Sequence, residues 1–273
     1  MSFGRSHSIT GIRGERPFQA ALMSALVLLT LLFAGIIVSL MAYTDWDTLV
    51  STLISPEILF AIRLSLITAT ISTTLAMLAA IPVSYAISHF EFPGKSIVDT
   101  ILDLPIVISP IALGAALLVF FNTPIGVGIE NKLIRFVFEV PGIILAQFMV
   151  ITALAVRLLK STFDSIDPRY EQVGRTLGCT KLTAFCTVTL PLAKNGLIAA
   201  AILTWARAIG EFGATVTLAG ATKQKTETLP IAIFLNLATA DVEKAVAVIF
   251  ILIVIAVMAL IFLRRISSTR YPR

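Results

Sequence analysis

The sequence predicts an all-α polytopic membrane protein with six transmembrane helices, and three observations predict it. Hydrophobic residues make up 57% of the 273 and charged ones 14%, with a mean hydropathy of +0.95, whereas an ordinary soluble domain is about 25% charged. Apolar windows long enough to cross a bilayer recur along the chain, and Lys and Arg collect in alternate connecting segments. A folded chain of this size exposes more surface than 37 charged side chains can dress for water, so lipid is the solvent for much of it. That excludes a soluble enzyme of ordinary surface, a disordered protein and a nucleic-acid-binding domain.

A helix crosses the hydrocarbon core with about 20 apolar residues, because a rise of about 1.5 Å each must cover about 30 Å. The first window, 17–44, follows Arg13 and Arg16 in the manner of a signal peptide. Its apolar run far exceeds an h-region and no small-residue cleavage site closes it, which makes it an anchor. The second and third windows are 64–88 and 104–129; the fourth, 140–156, is the shortest at 17 residues. Window 195–222 is apolar except for Arg207 and Glu211, and 245–263 completes the six.

Sidedness follows from the basic residues. Lys and Arg number 14 in the two tails together with 82–103 and 157–194, against five in 45–57, 130–139 and 223–244. Both termini are therefore expected in the cytoplasm. Were the fifth window not to cross, Arg264, Arg265, Arg270 and Arg273 would lie outside, against that bias.

The connection between the fourth and fifth windows, about 37 residues from Arg157 to Ala193, is too long for a plain turn. Asp167 is placed to cap a helix that Pro168 opens at its first position. Val173, Leu177, Leu182 and Phe185 recur at near-helical spacing, with Gly178 breaking the run. Two short amphipathic helices meeting at Gly178 are expected on the cytoplasmic face, either seated in a partner's groove or resting on the headgroups.

Gly178, nine residues, then Val188-Thr189-Leu190-Pro191 resembles the coupling motif of ABC-importer membrane subunits. In that family Glu-Ala-Ala, three residues, Gly, nine residues, Ile, one residue and Leu-Pro follow in order. The spacing from Gln172 through Gly178 to Pro191 fits without a gap. The opening triplet departs, Gln172-Val173-Gly174 standing where Glu-Ala-Ala is usual with Glu171 adjacent, and Gly174 loosens the helix by about 1 kcal/mol relative to Ala. Phe92-Pro93-Gly94-Lys95 and Leu104-Pro105-Ile106-Val107-Ile108-Ser109-Pro110 resemble the second-to-third span region of these permeases. Ala206-Arg207-Ala208-Ile209-Gly210-Glu211-Phe212-Gly213-Ala214 is similar to the signature of the molybdate/tungstate and sulfate branches. Thr215-Val216-Thr217-Leu218-Ala219-Gly220 and Thr226-Glu227-Thr228-Leu229-Pro230 lean toward molybdate/tungstate. The likeness covers roughly 56–263.

The resemblance implies a type I ABC-importer permease fold in the cytoplasmic membrane. Its expected parts are a cytoplasmic tail at 1–17, a first helix and outer loop at 18–55, the transporter domain at 56–263 with its coupling loop at 161–192, and a cytoplasmic tail at 264–273. It further implies a second copy of the chain, a cytoplasmic ABC ATPase dimer that carries the ATP and Mg, and an extracytoplasmic oxyanion-binding protein, with no cofactor and no nucleic acid on this chain. Glu171, Gln172, Gly174, Gly178, Leu190 and Pro191 become the expected ATPase-coupling residues. Sulfate or thiosulfate is the alternative cargo, and a stand-alone carrier or channel the alternative class, one that gives the Gly178 loop no role.

Arg207 and Glu211 lie four apart, about 40° from one another around a helix. An unpaired charge near mid-bilayer costs about 2.5–3.5 kcal/mol on insertion scales, so the two are expected to meet. The pair either lines the anion route or braces the helix. Ala206, Gly210 and Ala214 form a small-residue stripe suited to close helix approach. In the family the third and fifth spans line the pathway, which makes Ser109, Pro110, Arg207, Gly210, Glu211, Gly213 and Thr217 the expected path or gate, with Pro105 and Pro110 interrupting the third span.

Several motifs resolve against a site. Gly94-Lys95-Ser96 ends like a nucleotide-binding loop, but the glycine required five places earlier is His89. His7 and His89 are isolated, and Cys179 and Cys186 give no disulfide framework or metal spacing. Lys223 and Lys225 are read as a solvated outer loop, with guidance of an anion or a docking protein as the alternative.

Overall fold

A computed structural model describes residues 12–43 and 45–268; the outer parts of both predicted tails, with Arg5, His7, Arg270 and Arg273, lie outside the described residues, as does Thr44 at the end of the first window. Every regular element among the described residues is helical. Among the described residues five helices are long and apolar enough to cross a membrane, and a bent pair, taken as one span, makes the sixth. They run α1 (Ile12–Tyr43), the short α2 (Trp46–Ile54), α3 (Pro56–His89), the bent pair α4 (Lys95–Val107) and α5 (Pro110–Phe121), then α6 (Pro124–Lys132) and α7 (Val140–Asp164). After them come α8 (Arg169–Thr176), α9 (Lys181–Ala184), a π turn (Phe185–Thr189), α10 (Leu190–Ile209), α11 (Gly213–Ala219), α12 (Leu229–Ala238) and α13 (Val242–Ser268).

The core is the α3–α7 pair. Ala61, Ser65, Ala69, Ser72, Ala76, Ala80 and Ser84 repeat at helical spacing on α3 and are buried, so two backbones approach closely where lipid offers no hydrophobic drive. The fourth window, the shortest by sequence, becomes the most enclosed span, 56% of its window buried. It extends past its charge-free limit because Arg157 is neutralised inside the bundle: its guanidinium pairs with Asp99 at 2.9 Å and with Asp103, both on α4. By contrast α1 meets the bundle along α13 and buries none of its 18-residue apolar window.

Three expectations need correction. The third span is not one helix through 104–129. It starts nine residues earlier and turns by 110° between Val107 and Pro110, because a residue before proline is pushed out of the helical region; Ile108 and Ser109 are extended, and Ser109 caps α5 by accepting the Ala112 N–H at 3.3 Å. The fifth span is not continuous to 222, since α10 stops at Ile209 and α11 starts at Gly213, which cuts the Ala206–Gly210–Ala214 stripe into two helices. The connection between the fourth and fifth spans is shorter than the charge count implied: α7 runs on to Asp164, and an apolar helix runs from Lys181 to Ile209.

Candidate functional site

The two broken spans meet at their breaks. Gly213, the first residue of α11, lies so close to the start of α5 that a β-carbon there would sit 3.0 Å from the Ile111 nitrogen and 3.1 Å from the Pro110 β-carbon. One turn on, a β-carbon on Gly114 would stand 2.7 Å from the Ala214 carbonyl oxygen and 2.9 Å from the Thr217 β-carbon. Glycine at both places lets the half-helices touch backbone to backbone. Irregular backbone at membrane depth persists only against protein or water, and here the starts of α5 and α11 pack on one another while Ser109 and Gly210 in the breaks stay exposed.

Arg207 and Glu211 pair at 2.7 Å across the end of α10. Their burial is unequal, the Glu211 side chain being 1% exposed and that of Arg207 38%. Glu211 also accepts the Ala214 N–H at 3.0 Å, so one carboxylate holds the cation and caps α11. From α7, buried Gln147 donates to the Ala208 carbonyl at 3.2 Å and accepts the Ser72 hydroxyl at 3.0 Å, fixing where α10 ends. Thus Pro110 and Gly213 come together, as do Arg207 and Glu211, with Gly210 exposed between the halves and Ser109 exposed at the cap. The half-buried Thr217 packs toward Gly114, its hydroxyl donating to the Gly213 carbonyl at 2.7 Å. Gln147 and Gly114 escaped the sequence reading, although a lone Gln in an otherwise apolar window was a usable signal.

The knob between α7 and α10 is built on Gly178, whose φ of +95° ends the first short helix in a conformation other residues avoid. Asp167 accepts the Arg169 N–H at 2.9 Å, and the helix starts at Arg169, one residue after the expected Pro168. Tyr170, Val173, Leu177 and Leu182 stand out from the knob, Leu177 81% exposed, and Gln172 is exposed beside them. Gly174 faces inward onto Val188. Pro191 lacks an N–H to donate to Thr187, and the chain answers with the π turn, in which the Leu190 N–H reaches back five residues to Phe185. Glu171 turns inward too: it accepts the Tyr85 hydroxyl at 2.8 and 3.0 Å and the Thr189 hydroxyl at 3.2 Å. Cys179 and Cys186 are free thiols on this knob.

On the opposite side, Lys225 reaches Glu139 at 2.6 Å and Lys223 reaches Glu57 at 3.5 Å, tying the loop before α12 to the starts of α7 and α3. That loop is less solvated than its sequence suggests. Thr226, Glu227 and Thr228 are buried, and burial pushes the Glu227 carboxyl above the ordinary carboxylate value. A groove of about 850 Å³ between α2, α3, α10 and α13 is walled by side chains such as Leu66, Ile202, Phe250 and Met258. Its Trp205 N–H already meets the Thr70 hydroxyl at 3.1 Å. Its wall carries no charged side chain, and the unpartnered Thr73 hydroxyl on it is too little to hold an anion. Among the described residues no cluster of His, Cys, Asp and Glu is arranged to hold a metal ion.

Residues 83–270 match the family described as binding-protein-dependent transport system inner membrane component. The chain is 36% identical over 220 residues to the molybdate/tungstate transport system permease protein WtpB of Pyrococcus furiosus, covering 81% of this chain and 82% of that one. It is 32% identical over 230 residues to the sulfate transport system permease protein CysW of Synechococcus elongatus, covering 81% and 80%. A crystal structure of a bacterial alginate ABC transporter, in complex with an alginate-bound periplasmic protein, contains a chain of the same fold. It superposes with a TM-score of 0.75 at 18% identity, covering 94% of this chain and 96% of that one.

Proposed function

The chain belongs to the family of binding-protein-dependent transport system inner membrane components, the multi-pass permease subunits of ABC importers, and from that premise we propose that it carries molybdate or tungstate into the cell. The observation that supports this cargo is the 36% identity to a molybdate/tungstate permease across four-fifths of both chains. Two copies would form one pathway, with both termini in the cytoplasm as the basic residues favour. An extracytoplasmic binding protein delivers the oxyanion, and an ATPase pair that carries ATP and Mg drives alternating access.

In this reading the exposed apolar side chains of the knob, with Gln172, seat on the ATPase, and Gly178, Leu190 and Pro191 set the knob's shape. Glu171 and Gly174 work from its inner face. The paired breaks form the gate: Ser109, Pro110, Gly210, Gly213 and Thr217 line or pack it. Arg207, more than a third exposed, offers positive potential, while Glu211 limits how tightly an anion stays.

Sulfate is the second reading, favoured by the 32% identity to CysW. Uptake of labelled molybdate into vesicles holding the permease, its ATPase and its binding protein separates the two. Competition by tungstate and not by sulfate is expected, and equal competition by sulfate overturns the cargo. Transport by the purified chain without any ATPase overturns the importer reading itself. Leu177→Asp, which places a charge on the most exposed apolar residue of the knob, should abolish co-purification with the ATPase while leaving the permease folded.

A further inference from the structure

Tyr85 sits at the cytoplasmic end of α3, outside every motif singled out in the sequence, and it is the hub of a compact cluster. Its ring stacks on His89 at 4.3 Å, packs on Phe185 of the π turn at 4.5 Å and meets Phe163 of α7 edge-on at 5.8 Å. Its hydroxyl donates to the Glu171 carboxylate, which lies within 3.0 Å through both oxygens. That carboxylate also accepts the Thr189 hydroxyl, and His89 Nε2 stands 3.9 Å away. The Glu171 side chain is only 14% exposed. One acidic group on the knob therefore binds two elements of the membrane domain at once, the end of α3 and the last residue of the π turn. Hydrogen bonds to an ionised acceptor are roughly twice as strong as neutral ones, and partial burial protects them from screening.

We propose that Tyr85 and Glu171 form a latch that makes the knob and α3 move as one body, so that Tyr85 is a positioning residue for transport that touches neither cargo nor ATPase. The inference rests on the permease reading above and adds a residue to it. Without the latch, α8 remains attached through Gly174, Val188 and the Gly178 turn, and the ATPase can still dock on the outward face. The lost property is transmission: the ATPase cycles while α3 lags.

The test is a reconstituted transporter in which ATP hydrolysed and molybdate imported are measured together for wild type, Tyr85→Phe, Glu171→Ala, Glu171→Gln and the Tyr85→Phe/Glu171→Ala pair. Tyr85→Phe should keep ATPase binding and hydrolysis yet import about ten-fold fewer ions per ATP, the loss of one charge-assisted hydrogen bond, and Glu171→Ala, which also frees the Thr189 hydroxyl, should lower that ratio at least as far. Glu171→Gln, whose amide oxygen still accepts the Tyr85 hydroxyl, should retain most of the coupling, and the double variant should be no worse than Glu171→Ala alone. Hydrogen exchange in 169–176 should rise in both uncoupled variants while 56–89 stays protected. An unchanged ratio of ions to ATP in Tyr85→Phe, with normal exchange, overturns the latch. So does a loss of hydrolysis and import in step with lost thermal stability, which marks a merely structural role. Wild type failing to import with its ATPase refutes the permease reading instead, and the two failures are thereby distinct.

Discussion

Replacing Arg207 by Gln should harm the protein more than replacing Glu211 by Gln, although both changes break one ion pair. The reason is the unequal burial of the partners, 38% exposure against 1%. Arg207→Gln strands a carboxylate in a closed site with the Ala214 N–H as its surviving donor. Removing one member of a buried pair costs about 3–5 kcal/mol, and the surviving hydrogen bond sets the expected loss at about 3 kcal/mol. Glu211→Gln leaves a guanidinium that is partly exposed, and its amide oxygen still accepts the Ala214 N–H. The expected loss is about 1 kcal/mol, the scale of an exposed pair. The double Gln variant removes both charges and should recover about 2 kcal/mol of the summed losses. The assay is unfolding of the purified chain in mixed micelles of rising denaturing-detergent fraction, with uptake measured in parallel. Equal losses for the single variants, or a greater one for Glu211→Gln, refute the burial argument. Arg207→Lys then separates the two roles, since it keeps the charge and loses the planar fork. Reduced uptake at unchanged stability places Arg207 on the anion route, and unchanged uptake leaves it a brace.

Three other outcomes follow from the same geometry. Gly114→Ala should destabilise by about 1–3 kcal/mol from overpacking against the α11 backbone, less the helix-propensity gain of about 1 kcal/mol, whereas Gly35→Ala on exposed α1, with nothing within 4 Å, should keep that gain; the same unfolding assay compares them. Gly174→Ala should stiffen α8 by about 1 kcal/mol, because its new methyl would meet Val188 at an ordinary 3.5 Å; slower hydrogen exchange in 169–176 is the check. Glu227 has a folded-state pKa above its ordinary 4.5, so the folded chain holds its proton more tightly than the unfolded one. Stability conferred on the loop before α12 should therefore fall as pH rises from 4.5 through the raised value, and melting curves across that range should flatten in Glu227→Gln.

Hydropathy made the spans legible, because the need for about 20 apolar residues leaves a mark on composition that no packing detail erases. It did not show where they break. A window of apolar residues reads the same whether Val107 and Pro110 continue one axis or turn by 110°, and Pro110 signalled an interruption without its angle. Arg157 misplaced the end of the fourth span for the opposite reason. Charge marks a loop only if no partner is near, and its partners Asp99 and Asp103 lie more than 50 residues away in sequence. In the candidate site, the Arg207–Glu211 pairing was readable from a spacing of four, since local geometry decides it. The meeting of Gly213 with Pro110, and of Tyr85 with Glu171, joins residues about 100 apart. Such contacts are set by how α3, α5, α7 and α11 pack, which a single sequence does not encode in any periodic form.

One helix joins the knob to the breaks. From Lys181 to Ile209 the chain runs 29 residues, about 40 Å at about 1.5 Å per residue, with the π turn at one end and the Arg207–Glu211 pair at the other. Near its middle a β-carbon on Gly196 would lie 2.2 Å from the Thr162 methyl of α7, so α10 and α7 pack tightly there. A rod held at its middle moves its two ends in opposite senses, provided that it is stiff. Its weak point is the π turn, where Pro191 removes a backbone donor and the hydrogen-bond register slips by one residue. Glu171 bridges that point: by holding Thr189 and Tyr85 together it supplies from the side the rigidity that the helix lacks along its axis. On this arrangement the departure from Glu-Ala-Ala at 172–174 matters less than the glutamate one place before it, because the inward carboxylate stiffens the rod while Val173 and Leu177 stand exposed on its outward face.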